Sequence, residues 1–294
     1  MDLEAISGSA TVAIACTIVF FIAAKSWHLV ARTLGSHPSF PDAIMREAAQ
    51  RFRDELEQLS RKQATYLSAG LMFLFVFAVA HTFQADRLFA GYPSWQLYIL
   101  LAALGAAATF AAYRLVRTIR SWREVKFLRD ANIAVGHSLQ RMAAGHGRVF
   151  HDVVTSAGVV DHVLVGQSGI YAFNVVARPS PRKGAVKLAG NELHFLPRDK
   201  TVSIVDIAAR TTRLERDFRQ LLKHAVRVRS VIAVPGWHVE SQASEGHLVV
   251  NERTLPMFRG WKDEADYLMN EDVDELHVHL TASCKRTAPR KTKK

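Results

Sequence analysis

The stretch DHVLVGQSGIYAFNVVAR, residues 161–178, carries the side chains with the clearest potential for chemistry. Alternating apolar residues flank a Gly-Gln-Ser-Gly turn, which predicts two antiparallel strands joined as a hairpin. If the chain turns there, Val165 lies opposite Ile170, and counting back places Asp161 opposite Asn174. Because side chains alternate between the two faces of a strand, one face then carries a defined row of residues. That row consists of Asp161, Asn174, Val176 and Arg178.

A row of this kind would hold a metal ion against a phosphate if it offered two carboxylates and a cation, as metal-assisted phosphodiester cleavage requires. Magnesium prefers oxygen ligands, typically including one or two carboxylates. Here Asp161 offers one carboxylate and Asn174 a neutral carbonyl, whereas Val176 offers no ligand. Losing a general base or a water-positioning group commonly lowers a rate by about 10²–10⁴. The row therefore offers too few ligands and no base for metal-assisted hydrolysis.

Two nearby residues could compensate for the missing groups. Asp152, on the preceding predicted strand, could supply a second carboxylate, and Arg178 could hold a phosphate. Arginine keeps its proton and cannot act as a base. The interpretation we favour is that both are solvent-facing sheet residues. If the site is active, we expect Mg²⁺ or Mn²⁺ on Asp161, with Asp152 as the candidate second ligand; otherwise no cofactor is expected.

A second candidate metal pair is His277 and His279, in a segment that alternates like a last strand, VDELHVHL. A strand would place both rings on one face. No third ligand lies nearby in the sequence, so two half-exposed histidines are the favoured interpretation.

The elements that position these residues alternate between helices and strands from about residue 127 onward. The pattern predicts a helix, a three-stranded meander, a further hairpin around Gly190-Asn191, an amphipathic helix from Val205, a buried strand from Val228, and a strand followed by a helix start. Strands and helices around one mixed sheet predict an α/β or α+β domain over residues 127–284, followed by a basic tail at 285–294.

The run from Gly136 to about Leu280 resembles the NERD (nuclease-related) domain family. The matching pieces are VGHS at 135–138, VVDHVLVGQSGIYAFNVV at 159–176, VDIAARTTRLERDF at 205–218 and VIAVPGW at 231–237. The resemblance covers roughly the C-terminal half of the chain, and the central hairpin is its most specific part.

The resemblance implies a restriction-endonuclease-like fold, in which acidic residues bind a divalent metal and a lysine orients the attacking water. Asp161 matches the family's aspartate. Asn174 stands where the family has Glu, Val176 where it has Lys, and His137 where it usually has Glu. Arg210 falls near the place of its Gln. These family site positions are therefore expected to be vestigial, as in a pseudo-enzyme.

Three apolar runs precede this domain, at about residues 5–24, 66–84 and 96–114. Each is about long enough to cross a bilayer as a helix, so residues 1–126 are predicted to form a membrane domain of three transmembrane helices. The N-terminus MDLE lacks the positive region of a cleaved signal. Lys and Arg are concentrated after the first and third runs, which predicts an N-terminus outside and a cytoplasmic C-terminal domain.

Residues 41–60 form a separate predicted element between the first two spans. Ile44, Ala48, Phe52, Leu56 and Leu59 share one helical stripe, and charges cover the other face. The polar face mixes both signs, so we expect this helix to pair with a partner helix or pack on the cytoplasmic domain, ahead of lying on lipid.

These observations leave three functions open. The first is a non-catalytic membrane-anchored module that binds nucleic acid, DNA or RNA, or a protein partner, with Arg178, Arg182 and Lys183 as phosphate contacts. The second is an active metal-dependent nuclease that uses Asp161 with recruited ligands. The third is a membrane scaffold or assembly protein that recruits its partner through the 41–60 helix. The net charge of +11 decides little, because much of it lies beside the apolar runs and in the tail.

Overall fold

The computed structural model describes residues 3–34, 45–82, 94–145, 147–181, 184–197, 200–240, 243–244, 246–259 and 266–285. The chain divides into two compact units, one formed by residues 1–37 and 55–125, the other by residues 38–54 and 126–294. The second unit therefore includes a short segment from far upstream in the sequence, in addition to the predicted C-terminal domain.

Three long helices precede the strands: α1 (Leu3–Leu34), α2 (Gln50–Thr82) and α3 (Ser94–Ala143). Among the described residues, one helical stretch, Gln50–Val79, is long and apolar enough to cross a membrane, and Val12–Trp27 is a shorter apolar stretch. The prediction of three transmembrane helices is therefore not confirmed, although each predicted span overlaps one of these three helices.

Two predicted helix boundaries are wrong. The predicted helix at 41–60 and the predicted span at 66–84 are parts of one helix, α2, which begins only at Gln50; residues 41–44 lie outside the described part. The span at 96–114 and the helix predicted near 127 are likewise one continuous 50-residue helix. Neither junction contains Gly or Pro to end a helix. The sequence changes between apolar and charged residues at each junction, but the helical backbone continues through it.

A six-stranded mixed sheet forms the centre of the second unit. Its strands are β1 (Gly147–Thr155), β2 (Gly158–Gly166), β3 (Gly169–Val175), β7 (Val228–Ala233), β9 (Ala243–Ser244) and β10 (His247–Val250). They lie in the order β1-β2-β3-β7-β10-β9. Strands β1 to β3 form the predicted meander, and Val165 pairs with Ile170 as predicted. Strand β3 then pairs in parallel with β7, which pairs in parallel with β10.

A second sheet of four strands corrects the expectation of a single sheet. Its strands are β4 (Ala185–Ala189), β5 (Glu192–Leu196), β6 (Lys200–Ser203) and β8 (His238–Val239), in the order β6-β5-β4-β8. The hairpin of β4 and β5 turns at Gly190-Asn191 as predicted. Gly190 has a φ of 58°, the left-handed conformation that favours glycine in such a turn.

Two helices follow the first strands: α4 (Val205–Leu222), as predicted, and α5 (Asn270–Ser283), where a last strand was predicted. In α5 the buried residues are Val273, Leu276 and Leu280, a helical spacing that outweighs the short local alternation. His277 and His279 therefore point in different directions. The pairing expected for a metal site is absent because residues two apart do not share a helix face.

The core of the second unit lies on both sides of the six-stranded sheet. Helices α4 and α5 contribute Leu214, Phe218, Leu276 and Leu280 to one cluster with Val163 and Ile170. Helix α3 contributes Val135 and Leu139 to another with Tyr171 and Phe173. A third cluster joins the four-stranded sheet to Ile232 and Trp237. These layers show an α/β domain.

Candidate functional site

The two carboxylates of the predicted site lie opposite each other on neighbouring strands. Pairing between β1 and β2 joins His151 to His162 and Val153 to Val160, which leaves Asp152 facing Asp161. The ladder is interrupted there because Asp152 has a left-handed φ of 50°. Such a conformation is uncommon for a residue other than glycine, and Asp is among those that tolerate it. Both side chains are buried, at 3% and 2% exposure.

The guanidinium of Arg51 occupies the space beside both carboxylates. Its Nη2 donates a hydrogen bond to Oδ1 of Asp161. Its Nε lies 3.8 Å from Oδ1 of Asp152, and its backbone N–H donates to Oδ2 of Asp152 at 3.1 Å. The backbone N–H of Val175 donates to the other oxygen of Asp161 at 2.7 Å. Every oxygen of the Asp161 carboxylate therefore has a protein donor.

Arg51 reaches this place because a segment preceding and opening α2, residues 45–54, docks on the domain; we call it the docking segment. Its Met45 bridges to Lys285. The backbone N–H of Arg46 donates to the carbonyl of Cys284 at 2.9 Å. Nη1 of Arg46 donates to the carbonyl of Asp152 at 2.7 Å. These contacts fix the first turn of α2, and with it Arg51, against β1 and β2.

Burial and the arginine act on the carboxylates in opposite directions. Burial raises the pKa of Asp161, while Arg51 and the Val175 N–H lower it. Burial also raises the pKa of Asp152, against the lowering effect of the Arg51 and Arg46 contacts. A metal ion would have to displace a bound guanidinium from a site that is already compensated. Among the described residues, no group of three or more His, Cys, Asp or Glu side chains could hold a metal.

Asn174 and Val176 do not complete a catalytic row. Asn174 lies one position beyond the His162–Phe173 pair of the hairpin, so it faces Asp161 as predicted. It is 1% exposed, and within the described part neither amide atom has a hydrogen-bond partner. Val176 packs against the apolar cluster that includes Ile232 and Trp237. A valine suits that environment, whereas a lysine ammonium there would lose its water.

The predicted phosphate contacts are only partly described. The guanidinium of Arg178 lies 5.1 Å from the ring centre of Phe195, a cation–π distance, and its carbonyl accepts a hydrogen bond from Nε1 of Trp237 at 2.9 Å. Arg178 is half-buried. Arg182 and Lys183 lie outside the described residues. Arg178 is thus not the solvent-facing sheet residue that we favoured, and it lies beyond the end of β3.

His137 is exposed on α3, away from the hydrogen bonds of Asp161. The residue before it, Gly136, is where two elements approach closely: a Cβ there would lie 2.8 Å from Cβ of Ala48 and 3.3 Å from Cε1 of His162. Gly136 therefore lies at a packing contact between α3 and the docking segment.

A buried histidine pair lies beneath this contact. The Nδ1 atoms of His151 and His162 are 2.8 Å apart, and Nε2 of His151 lies 2.9 Å from Nε2 of Gln140. Burial lowers the pKa of His151 to about 4 and that of His162 to about 3. Both rings are therefore neutral at pH 7. Sequence reasoning missed this pair and Arg51; the predicted meander makes β1 and β2 neighbours, and only the observed register pairs His151 with His162.

A polar cleft of about 380 Å³ lies beyond the carboxyl ends of the parallel strands β3, β7 and β10. In open α/β sheets this is where ligands commonly bind. The cleft is lined by residues from the loops that follow these strands, including Ser180, Gly184, Trp237, Asn251 and Arg253, and by His238 at the start of β8. The side-chain amide of Asn251 is hydrogen-bonded on both sides: its Nδ2 donates to the carbonyl of Trp237, and its Oδ1 accepts from the backbone N–H groups of Arg253 and Thr254.

Comparison with known proteins finds no matching protein family, no matching curated protein and no matching solved structure. The resemblance to the NERD family therefore stays a prediction.

Proposed function

We propose that the C-terminal domain is a non-catalytic, nuclease-related module of a membrane-anchored protein, and that it binds nucleic acid without cleaving it. The observation that carries the first part is the Arg51 guanidinium bonded to Asp161 and lying beside Asp152. It supplies in protein form the positive charge that a divalent metal would otherwise bring to these carboxylates. With Asn174 and Val176 in place of an acid and a lysine, the site lacks a base and a metal.

The cleft beyond β3, β7 and β10 supports nucleic acid as the ligand. The segment that follows Arg178 contributes Ser180 and Pro181 to its lining, and the hydrogen bond from Nε1 of Trp237 to the carbonyl of Arg178 attaches this segment to the wall. Arg182 and Lys183 come next in the sequence. Arg253 is an exposed residue of the lining, while the carboxylate of Glu252 accepts a hydrogen bond from the N–H of Gly236 at 2.9 Å. Among the described lining residues, this arrangement of an exposed arginine and a carboxylate engaged by a backbone N–H supports phosphate binding.

Membrane anchoring belongs to the same proposal. Only 6% of the apolar 18-residue stretch within Gln50–Val79 is buried, so its side chains are not covered as those of a core helix would be. Lys and Arg flanking the apolar runs favour an N-terminus outside and the C-terminal domain on the cytoplasmic side of the cell membrane.

The proposal is tested with the full-length protein in detergent, single- and double-stranded DNA and RNA, and a series of salt concentrations. We expect retention of nucleic acid that weakens steeply with salt, without cleavage in Mg²⁺ or Mn²⁺. The variant Arg178→Gln/Arg182→Gln/Lys183→Gln should lose most of this retention, and a matched triple variant of the exposed Lys187, Arg216 and Arg227 to Gln should keep it. Absence of any salt-sensitive binding in the wild type would refute the nucleic-acid assignment and favour a scaffold role.

A further inference from the structure

A regular series of arginines follows the apolar part of α3. Arg114, Arg117, Arg120 and Arg123 are each three residues apart and are all exposed. None of the four takes part in an ion pair within the described part of the chain. Between residues 114 and 129 the sequence contains a single acidic residue, Glu124. We call the four residues the arginine collar.

The spacing distributes the charges around the helix. Successive residues of an α-helix are separated by about 100°, so a step of three residues shifts the direction by about 60°. Four arginines at this step cover about half of the circumference over a rise of about 14 Å. A rigid partner such as a nucleic-acid duplex or a folded domain would reach only one side of this arrangement. A fluid layer that surrounds the helix would reach every member.

The collar lies directly beside an uncharged stretch. Residues 97–113 contain no charged side chain, and Phe110 and Tyr113 near its end are 64% and 61% exposed. The guanidinium of Arg114 lies 5.8 Å from the ring centre of Phe110. Aromatic rings followed by arginine are typical of the boundary between hydrocarbon and headgroups, where the ring stays in the apolar layer and the cation reaches the phosphates.

We propose that the arginine collar binds the phosphates of anionic phospholipids on the side of the membrane that carries the C-terminal domain. This inference rests on the membrane anchoring proposed above. A topology signal requires only an excess of Lys and Arg near the span. Guanidinium groups also form paired hydrogen bonds to phosphate oxygens, which a lysine ammonium cannot form. We therefore expect the collar to bind anionic headgroups in preference to neutral ones, and to bind them more tightly than four lysines would.

The test measures binding of phosphatidylglycerol and of phosphatidylcholine to the full-length protein by native mass spectrometry. The wild type is compared with Arg117→Gln/Arg120→Gln/Arg123→Gln, with the corresponding triple Lys variant, and with Lys187→Gln/Arg216→Gln/Arg227→Gln as a control of equal charge. We expect the wild type to prefer phosphatidylglycerol. The Gln variant should lose about fivefold of that preference per arginine, the Lys variant less, and the control none.

Flotation of each protein with phosphatidylcholine vesicles distinguishes a failure of the proposed membrane anchoring from a failure of the lipid assignment of the collar. If the wild type does not float with the vesicles, membrane anchoring itself is overturned. If it floats but shows no preference for phosphatidylglycerol, or if the Gln variant keeps that preference, only the collar assignment is overturned. Inorganic phosphate that displaces phosphatidylglycerol at equal concentration would identify a site for free anions and would also overturn it.

Discussion

Arg51 and Asp161 are joined by a hydrogen-bonded ion pair across 110 positions of the chain. The aspartate is 2% exposed, whereas the side chain of the arginine is 35% exposed. The docking segment thus inserts a cation from the edge of the domain onto a carboxylate that the sheet buries. This pair links the beginning of α2 to the place where a nuclease-related site would be expected.

Removing the cation should destabilise the domain. In Arg51→Met the Asp161 carboxylate keeps its Val175 N–H donor and loses its counter-charge, and breaking a buried pair in this way costs about 3–5 kcal/mol. Because Arg51 is partly exposed, we expect a loss on the order of 2 kcal/mol. The measurement is urea denaturation of the purified full-length protein.

Three further variants isolate the pair: a matched control, the single variant Asp161→Asn, and a double variant. Arg53, which pairs with Glu47 at an exposed position, is the matched control, and Arg53→Met should change stability by less than about 1 kcal/mol. In the double variant Arg51→Met/Asp161→Asn the loss should be smaller than the sum of the two single losses. Additive losses would show that Arg51 and Asp161 do not stabilise each other.

The buried histidines should make stability depend on pH. The pKa values of His151 and His162 are about 4 and about 3 in the fold, below the ordinary 6.5. Between pH 6.5 and about 4 the unfolded chain binds protons that the folded chain does not, so stability is lost as the pH falls. Two such groups give a slope of about 2.7 kcal/mol per pH unit.

Asp152 and Asp161 act in the opposite sense above their ordinary pKa of 3.8, since their folded pKa values are raised. The informative quantity is therefore the difference between the wild type and His151→Gln/His162→Gln. The wild type should lose stability more steeply than this variant between pH 6.5 and 4.5. Parallel curves would mean that the histidines are not buried as neutral rings.

Asn174 should cost stability in its present environment. A buried polar group without a partner costs about 1–3 kcal/mol, so Asn174→Leu, which fills a similar volume, should raise the free energy of unfolding. Asn251 is the matched control because it is also buried and its amide is bonded on both sides; Asn251→Leu should lower it. If Asn174→Leu destabilises the protein as much as Asn251→Leu does, Asn174 has partners in solution.

Close packing at Gly136 gives a steric prediction. Alanine normally favours a helix over glycine by about 1 kcal/mol. At this position the added methyl would lie 2.8 Å from Cβ of Ala48, so Gly136→Ala should instead destabilise by about 1–3 kcal/mol. Adding Ala48→Gly should restore much of the loss. Gly70, where an added Cβ would have nothing within 4 Å, is the control. A stable single variant would show that α3 and the docking segment lie further apart.

The sequence was sufficient for the parts of the fold that depend on local pattern. The register of the Gly166–Gly169 hairpin follows from its turn, and α4 follows from its amphipathic spacing; both predictions are confirmed. The strand predicted at residues 273–280 is wrong because four alternating residues resemble a strand locally, while the burial of Val273, Leu276 and Leu280 depends on packing against the sheet.

The candidate site depended on contacts that no spacing reveals. Asp161 and Asn174 could be placed opposite each other from the hairpin alone. Arg51 could not be placed, because it belongs to a stretch whose stripe of apolar residues was interpreted as a separate helix. That stretch packs on the domain, one of the outcomes expected for it, yet the arginine on its edge gave no signal of the carboxylate it would meet.

We propose that Arg51 holds Asp161 in place of a metal ion, and an assay of Mn²⁺-dependent cleavage decides whether it does. The full-length wild type and Asp161→Asn are incubated with single- and double-stranded DNA and RNA in Mn²⁺ and in Mg²⁺. We expect no cleavage by either protein above a metal-free control. Metal-dependent cleavage by the wild type that disappears in Asp161→Asn would contradict it, and would show that the guanidinium leaves the carboxylate during turnover.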